Sequence, residues 1–260
     1  MDNIYTASLA ALFAGLATVL GFIPLLFISK LSKRSECICL SFAAGVMIAA
    51  SFFSLLNPSF DEAAKLFPSS FIASSVVLFG FALGVAFIWV IDRYVTINSI
   101  EIFKDSGAKG KESSFLANLW IFVLAIMIHN FPEGMAVGVG FSTGDPDLGL
   151  PIGIGIALQN IPEGLVVAVA CLAMGYSKTR AFLICLISGL VEPVGGFFGI
   201  LLVSISQSLL PIGLSFAAGA MLFAIIHKMM FEIHNYKMQN VATLSCIIGL
   251  IVMTILDRIF

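Results

Sequence analysis

Two short stretches of the chain place ionisable and amide side chains inside long apolar runs. They read MIHNFPEGMAVGV, residues 127–139, and ALQNIPEGLVVAV, residues 157–169. His129 and Glu133 are four residues apart, so on a helix they share one face, and Gln159 and Glu163 repeat that spacing. Two such helices facing each other offer an imidazole, an amide oxygen and two carboxylates. Imidazole with carboxylate suits zinc, iron(II) or manganese, and the lack of thiols in this set argues against copper(I).

A third carboxylate and two further amides extend the pattern. Glu192 lies, like Glu133 and Glu163, near the middle of an apolar run, and we expect no Lys or Arg at that depth. Carboxylates inside a membrane usually line a cavity and have a functional role, and here cations or protons must neutralise them. Asn130 and Asn160 lie one residue further round, about 100° away. We therefore expect them to face a neighbouring pocket that Glu192 joins.

The prolines of these stretches favour the same interpretation. Pro132 and Pro162 lack an N–H, which frees the carbonyls of Ile128 and Leu158 and kinks each helix. Freed carbonyls inside a membrane are tolerated where they line a wet cavity. Taken singly, each polar residue is equally well explained as a hydrogen-bonding partner that holds helices together. The two NxPEG motifs together with a third carboxylate favour a functional site.

The composition is that of a membrane protein. The chain has 260 residues, of which 60% are hydrophobic and 11% charged, whereas soluble domains carry roughly 25% charged residues. The net charge of −2 and the absence of a basic run argue against nucleic-acid binding. The five cysteines are odd in number and do not form a disulfide framework.

Eight apolar stretches are long enough to span a bilayer, which takes about 20 residues as a helix. They lie at about 6–29, 38–56, 70–92, 116–142, 150–174, 180–204, 208–230 and 240–257. We predict one polytopic domain, residues 1–260, in the cell membrane, with a mobile cytoplasmic loop at 93–115. With both termini outside, eleven of the thirteen Lys and Arg residues fall on the cytoplasmic side, as the positive-inside rule requires.

An internal repeat gives the eight helices an architecture. SFAAGVM, residues 41–47, recurs as SFAAGAM, residues 215–221, and GLATVLG, residues 15–21, aligns with GLVEPVG, residues 189–195, at the same offset of 174. We predict an all-α fold in which helices 1–3 and 6–8 form an inverted repeat around the central pair 4–5, an arrangement found in secondary transporters. The SFAAG stretches would then form a sliding surface. The alternative is that small residues recur only for helix packing.

At these motifs the chain resembles the ZIP family of divalent-metal transporters, in particular its bacterial GufA-type branch. The resemblance rests on HNFPEG, QNIPEG and EPVGG and runs over nearly the whole chain. It implies transport of zinc, or of iron, manganese or cadmium, into the cytoplasm, with the metal as substrate and no resident cofactor. It also implies up to two metal ions: His129, Glu133, Gln159 and Glu163 match one site, and Asn130, Asn160 and Glu192 match the other, with Glu133 and Glu163 able to bridge. The family often forms dimers, which leaves a homodimer open.

The chain departs from its relatives at two places. Many relatives have a histidine where this chain has Gln159, which weakens the preference for zinc and favours manganese or iron. Relatives often carry acidic residues where this chain has His227 and Lys228, so we do not expect an exit site there.

Two other classes of function stay open. One is an intramembrane metalloenzyme, which would need a general base and a motif such as HExxH, and the chain has no such motif. The other is a transporter of protons or of an organic cation without a metal. An enzyme is not expected.

Overall fold

The computed structural model describes residues 2–27, 32–105 and 111–259. Within these ranges all regular structure is helical and no β-strand occurs. The α-helices are α1 (Asp2–Leu20), α2 (Pro24–Phe27), α3 (Lys33–Ala49), α4 (Asn57–Leu66), α5 (Ser70–Asp105), α6 (Lys111–Ser142), α7 (Pro146–Ala173), α8 (Lys178–Gly189), α9 (Val191–Ile205), α10 (Leu210–Ala224), α11 (Met230–Asn235) and α12 (Gln239–Ile259). Two π-helical segments, Ala50–Leu56 and Ile225–Met229, follow α3 and α10, and a short 3-10 helix, Gln207–Leu209, precedes α10.

Among the described residues, seven helical stretches are long and apolar enough to cross a membrane. They are Ile4–Phe27, Lys33–Leu66, Ser70–Tyr94, Pro146–Ala173, Lys178–Ile205, Gln207–Asn235 and Gln239–Ile259. Helix α6, which carries the first polar motif, adds a further 32-residue helix. The protein is therefore all-helical and crosses the membrane several times.

The helices extend beyond the predicted spans. The second stretch runs from Lys33 to Leu66 because a π-helical segment joins α3 to α4 without a break. The prediction of a loop at 93–115 is wrong for most of its length, since α5 continues to Asp105 and α6 begins at Lys111; residues 106–110 lie outside the described part. Residues 93–105 contain charges but no Gly or Pro. Charge takes a helix out of the apolar part of the membrane but does not end it, and this segment lacks the Gly and Pro residues that are the strongest helix breakers.

The helices pack as two groups. In the first, α1 packs against α6, α7, α8 and α9, and α6 also packs against α7 and α9. In the second, α3 pairs with α12 and α5 with α10, and α10 joins the two pairs by packing on the π-helical segment that follows α3. Contacts of α3 with α7 and of α10 with α6 join the groups. The polar motifs lie on α6, α7 and α9, so the first group carries them.

Glycines set the closest approaches within the second group. A Cβ at Gly45 would overlap the carbonyl of Cys246 on α12, and a Cβ at Gly219 would overlap the carbonyl of Phe81 on α5. Both SFAAG stretches therefore do support close helix contact. That contact lies inside the pairs α3–α12 and α5–α10, and the sliding surface predicted from these stretches stays a prediction.

Candidate metal site

Proline and glycine bring the polar segments of α6, α7 and α9 together. Pro132 lies inside α6 and Pro162 inside α7, and the helix is interrupted at Leu190, between α8 and α9. Gly134 packs on the main chain of Glu192 so closely that a Cβ there would overlap the Glu192 carbonyl. Any larger residue at position 134 would push α6 away from α9, so this glycine sets how closely the two helices approach.

All seven residues predicted for the site are buried. The exposed fractions are 7% for His129, 1% for Asn130, 0% for Glu133, 0% for Gln159, 0% for Asn160, 4% for Glu163 and 0% for Glu192. Buried polar groups need hydrogen-bonding partners or ions. Together these seven residues form a polar layer. The hydrogen-bonding partners that their side chains have, and the partners that they lack, define the chemistry of this layer.

The two NxPEG helices meet through a hydrogen bond between their central polar residues. The Gln159 amide nitrogen donates to Glu133 Oε1 at 2.8 Å, which joins α7 to α6. His129 and Glu163 line one narrow cavity of about 10 Å³, together with Met47 of α3 and Lys228. The structure thus brings the four residues of the first predicted group into one neighbourhood. A cavity of this size has room for about one water molecule.

The second predicted group is only partly assembled. The Asn160 amide nitrogen donates to Glu192 Oε1 and, at 2.8 Å, to the carbonyl of Ala14 on α1. The Asn130 amide nitrogen instead donates to Ser188 of α8, to its carbonyl at 3.0 Å and to its hydroxyl at 3.2 Å. Asn160 and Glu192 are therefore in contact, whereas the nitrogen of Asn130 is held by a residue that sequence reasoning missed.

A basic side chain reaches the layer, contrary to the sequence-based expectation. Lys228 borders the cavity that His129 and Glu163 line, and its Nζ lies 3.0 Å from Asp92 Oδ1 on α5. His227 Nε2 lies 3.4 Å from the other oxygen of Asp92. A lysine stem can pass along apolar surface while its ammonium group reaches a distant partner. The position of Lys228 in the sequence therefore did not show where its charge would lie.

Oxygen atoms without partners are concentrated in this layer. Seven buried side-chain oxygens among the described residues have no hydrogen-bond donor: Thr18 Oγ1, Asn130 Oδ1, Glu133 Oε2, Gln159 Oε1, Asn160 Oδ1, Glu163 Oε1 and Glu192 Oε2. Six of them belong to predicted site residues. An unpaired buried polar group lowers the stability of the fold by about 1–3 kcal/mol. A cluster of such groups therefore indicates a site for a bound species that is not part of the chain.

The hydrogen bonds leave the layer complementary to a cation. Each amide nitrogen of Asn130, Gln159 and Asn160 already donates to an acceptor, while the amide oxygens receive nothing. The free positions are thus oxygens, which bind cations, and not N–H groups, which bind anions. Among the described residues, no group of three or more His, Cys, Asp or Glu side chains could hold a metal ion by itself. A metal site in this layer would have to include amide oxygens as well.

Sequence reasoning missed Ala14, Thr18 and Ser188. The repeat offset of 174 could have located them, because it aligns Ala14 with Ser188 and Thr18 with Glu192. The residue types alone give only a weak signal, since an alanine and a threonine are ordinary residues in an apolar helix. It becomes informative only when the second member of each pair is known to lie in the layer.

Comparison with known proteins gives one consistent result. The family model described as ZIP Zinc transporter matches residues 104–257. The zinc transporter GufA of Myxococcus xanthus is 40% identical over 249 residues, covering 95% of this chain and 96% of that protein. The zinc transporter ZIPB of Bordetella bronchiseptica is 41% identical over 241 residues, covering 93% and 77%. The zinc transporter ZupT of Clostridium perfringens is 32% identical over 275 residues, covering 98% and 96%.

Proposed function

The chain belongs to the ZIP family of zinc transporters, and on that premise we propose that it moves zinc or related divalent cations across the cell membrane into the cytoplasm. It is a transport protein and not an enzyme. The path runs through the buried layer on α6, α7 and α9. The surplus of unpartnered oxygens in that layer is the observation that supports this path.

The proposed ligands form two adjoining sites. His129, Glu133, Gln159 and Glu163 bind one ion, Asn130, Asn160 and Glu192 bind the other, and Glu133 and Glu163 bridge the two. The hydrogen bonds within the layer orient the ligands. Gln159 fixes Glu133 through Oε1 and leaves its Oε2 free, and Asn160 does the same for Glu192. Zinc, iron(II), manganese and cadmium are the candidate substrates, since imidazole and oxygen ligands suit borderline divalent ions.

The proposed topology has eight spans in one domain, residues 1–260, with α6 as the fourth span and both termini outside. Three sets of contacts support an inverted repeat of membrane spans 1–3 and 6–8. Asn160 donates to the Ala14 carbonyl, and Asn130 donates to the carbonyl of Ser188, which lies 174 residues after Ala14. These two bonds are related by the offset of 30 between the central helices and the offset of 174 between the outer ones.

The glycine contacts follow the same two offsets. Gly134 packs on the Glu192 main chain, and Gly164 packs on the main chain of Thr18. Gly15 and Gly189, which are also 174 residues apart, pack on each other's carbonyls reciprocally. A pair that contacts itself in this way is expected at a pseudo-two-fold axis. These contacts favour a true repeat over the alternative that small residues recur only for packing.

Release on the opposite side requires relative movement of helices. We place that movement between the two packed groups. One of them carries all seven proposed ligands, while Met47 of α3 and Lys228, in the π-helical segment that continues α10, border the cavity from the side of the other. The bound ion sets the free-energy difference between the filled and the empty site, because it neutralises carboxylates that repel one another when the ion leaves. Alternating access of this kind needs only one central site and two bodies.

Metal uptake by reconstituted vesicles tests the function. Purified protein in vesicles that enclose a metal-sensitive dye should give saturable zinc entry, which manganese, iron(II) or cadmium in the outer solution reduces. Protein-free vesicles give the background. In detergent, a binding cation at about 100 times its dissociation constant should stabilise the fold by about 2.7 kcal/mol, and a chelator should reverse this. No uptake above background together with no stabilisation by any of the four cations would leave a metal-free transporter as the better interpretation.

A further inference from the structure

Thr18 is a buried hydroxyl that does not make the hydrogen bond expected on a helix. It lies on α1, is 1% exposed, and its Oγ1 has no partner. Several helical hydroxyls elsewhere in the chain donate to a carbonyl three or four residues earlier, as Ser51 does to Met47 and Thr254 to Leu250, both at 2.7 Å. This hydrogen bond to its own helix is the usual one for a Ser or Thr hydroxyl in an apolar helix. Thr18 is therefore an exception that needs an explanation.

The layer itself uses the acceptor that Thr18 would normally take. The carbonyl four residues before Thr18 is that of Ala14, and this carbonyl accepts the Asn160 amide at 2.8 Å. One of the bonds that orient the layer thus lies one turn away from Thr18 on the same helix. The hydroxyl that is left unpaired joins the set of unpartnered oxygens, of which the other six belong to proposed ligands.

Thr18 packs between the two helical segments that position Glu163 and Glu192. Its Cγ2 lies 3.0 Å from the place where a Cβ of Gly164 would be, and Gly164 directly follows Glu163. Its Cβ lies 3.3 Å from the corresponding place at Gly189, three residues before Glu192. The side chain is thus at the layer and not elsewhere along α1.

The repeat gives this position a meaning. The offset of 174 that aligns the outer helices places Thr18 opposite Glu192. The contacts agree, since Gly134 of α6 packs on the Glu192 carbonyl in the way that Gly164 of α7 packs on the Thr18 carbonyl. One half of the predicted repeat therefore has a carboxylate residue at this place, and the other half has a neutral threonine, whose buried hydroxyl has no partner.

We propose that Thr18 is a further cation-binding residue of this layer, which contributes a neutral oxygen at the position that mirrors Glu192. The proposal rests on the proposed transport function. A hydroxyl adds an oxygen ligand without adding charge, whereas a fourth buried carboxylate would hold a divalent cation more tightly. A conducting site has to bind its ion and also release it, so a neutral ligand at this place favours release.

The test compares three substitutions by metal titration of purified protein and by uptake into vesicles, with zinc and with manganese. Thr18→Val keeps the shape and removes the hydroxyl, and it should weaken the apparent affinity roughly tenfold, the effect of losing one hydrogen bond or ligand to a charged group. Thr18→Ser keeps the hydroxyl and should stay within about threefold of the parent on the same scale. Thr254→Val is the matched control, because it removes a half-buried hydroxyl that bonds the carbonyl of its own helix, and it should bind like the parent.

Thr18→Glu should act in the opposite direction, with tighter binding and slower uptake. If Thr18→Val does not reach the membrane, Thr18→Ala removes the same hydroxyl without a branched side chain and takes its place. Parental affinity in the variant without the hydroxyl would overturn the proposal. Equal losses in Thr18→Val and Thr18→Ser would also overturn it, because they would indicate packing.

Failure of this proposal can be told apart from failure of the transport function. A Glu133→Ala protein is measured alongside. If that protein has lost uptake while Thr18→Val is normal, the transport site stands and only the role of Thr18 is refuted. If Glu133→Ala also transports normally, the layer is not the transport site at all.

Discussion

Replacing Glu133 with glutamine separates the role of its charge from the role of its shape. Glu133 is fully buried, accepts the Gln159 amide through Oε1 at 2.8 Å, and has no partner for Oε2. The amide oxygen of the introduced glutamine can still accept that hydrogen bond, and the new side chain has nearly the same volume. The substitution removes a negative ligand and places an NH₂ group where the free oxygen was. We therefore expect the variant to fold and to lose the cation.

The size of the effect follows from the burial of the interaction. Removing one partner of a buried charge pair costs about 2–5 kcal/mol, which corresponds to roughly 30- to 5,000-fold in dissociation constant. At a cation concentration that half-fills the parent site, occupancy of the variant would fall to about 3% or less. Initial uptake should decrease in proportion, because transport requires a filled site.

Uptake and thermal stability together make the assay decisive. At about 100 times the parental dissociation constant, the cation should stabilise the parent by about 2.7 kcal/mol and Glu133→Gln by less than about 1 kcal/mol. Glu62→Gln is the control, since Glu62 pairs with Lys65 at an exposed site away from the layer, and its response should equal that of the parent. Parental stabilisation and uptake in Glu133→Gln would refute the assignment of this carboxylate as a ligand.

Two further substitutions test selectivity and helix approach. Gln159→His replaces an oxygen ligand with nitrogen, so competition uptake should shift in favour of zinc over manganese; an unchanged ranking would show that this residue does not set selectivity. Gly134→Ala puts a Cβ against the α9 main chain and should lower the thermal midpoint through overpacking of about 1–3 kcal/mol. Gly153→Ala meets only the movable ring of Phe141 and should cost less; equal losses would mean that the approach of α6 to α9 is not tight.

Side-chain spacing predicted the core of the layer because helix geometry is regular. A separation of four residues fixes a shared face whatever the neighbours are, so the pairs His129–Glu133 and Gln159–Glu163 could be placed before any fold was known. The hydrogen bond from Gln159 to Glu133 and the cavity shared by His129 and Glu163 agree with that placement. Contacts between helices distant in sequence are different, since they depend on how the helices pack.

Three features of the structure were missed, each for its own physical reason. Asn130 bonds Ser188 because of the packing of α6 against α8, which no local pattern encodes. Lys228 reaches Asp92 because a long flexible stem separates its charge from its backbone position. The true end of α5 was missed since polar composition was taken as the end of a helix, although no residue between 93 and 105 stops one.

The asymmetry of the proposed ligands has a physical origin in what the two halves of the proposed repeat share. The contacts that recur in both halves run to main-chain atoms: the Asn130 and Asn160 amides bond carbonyls, and Gly134 and Gly164 pack on backbone. Almost any residue can supply a carbonyl, so these contacts persist while the side chains around them diverge. His129 has Gln159 as its counterpart, and Glu192 has Thr18. In each pair one member is the stronger ligand for a borderline metal. On this proposal, a scaffold with repeated main-chain contacts holds an asymmetric ligand set, and selectivity can change through the ligands while the packing of the helices is preserved.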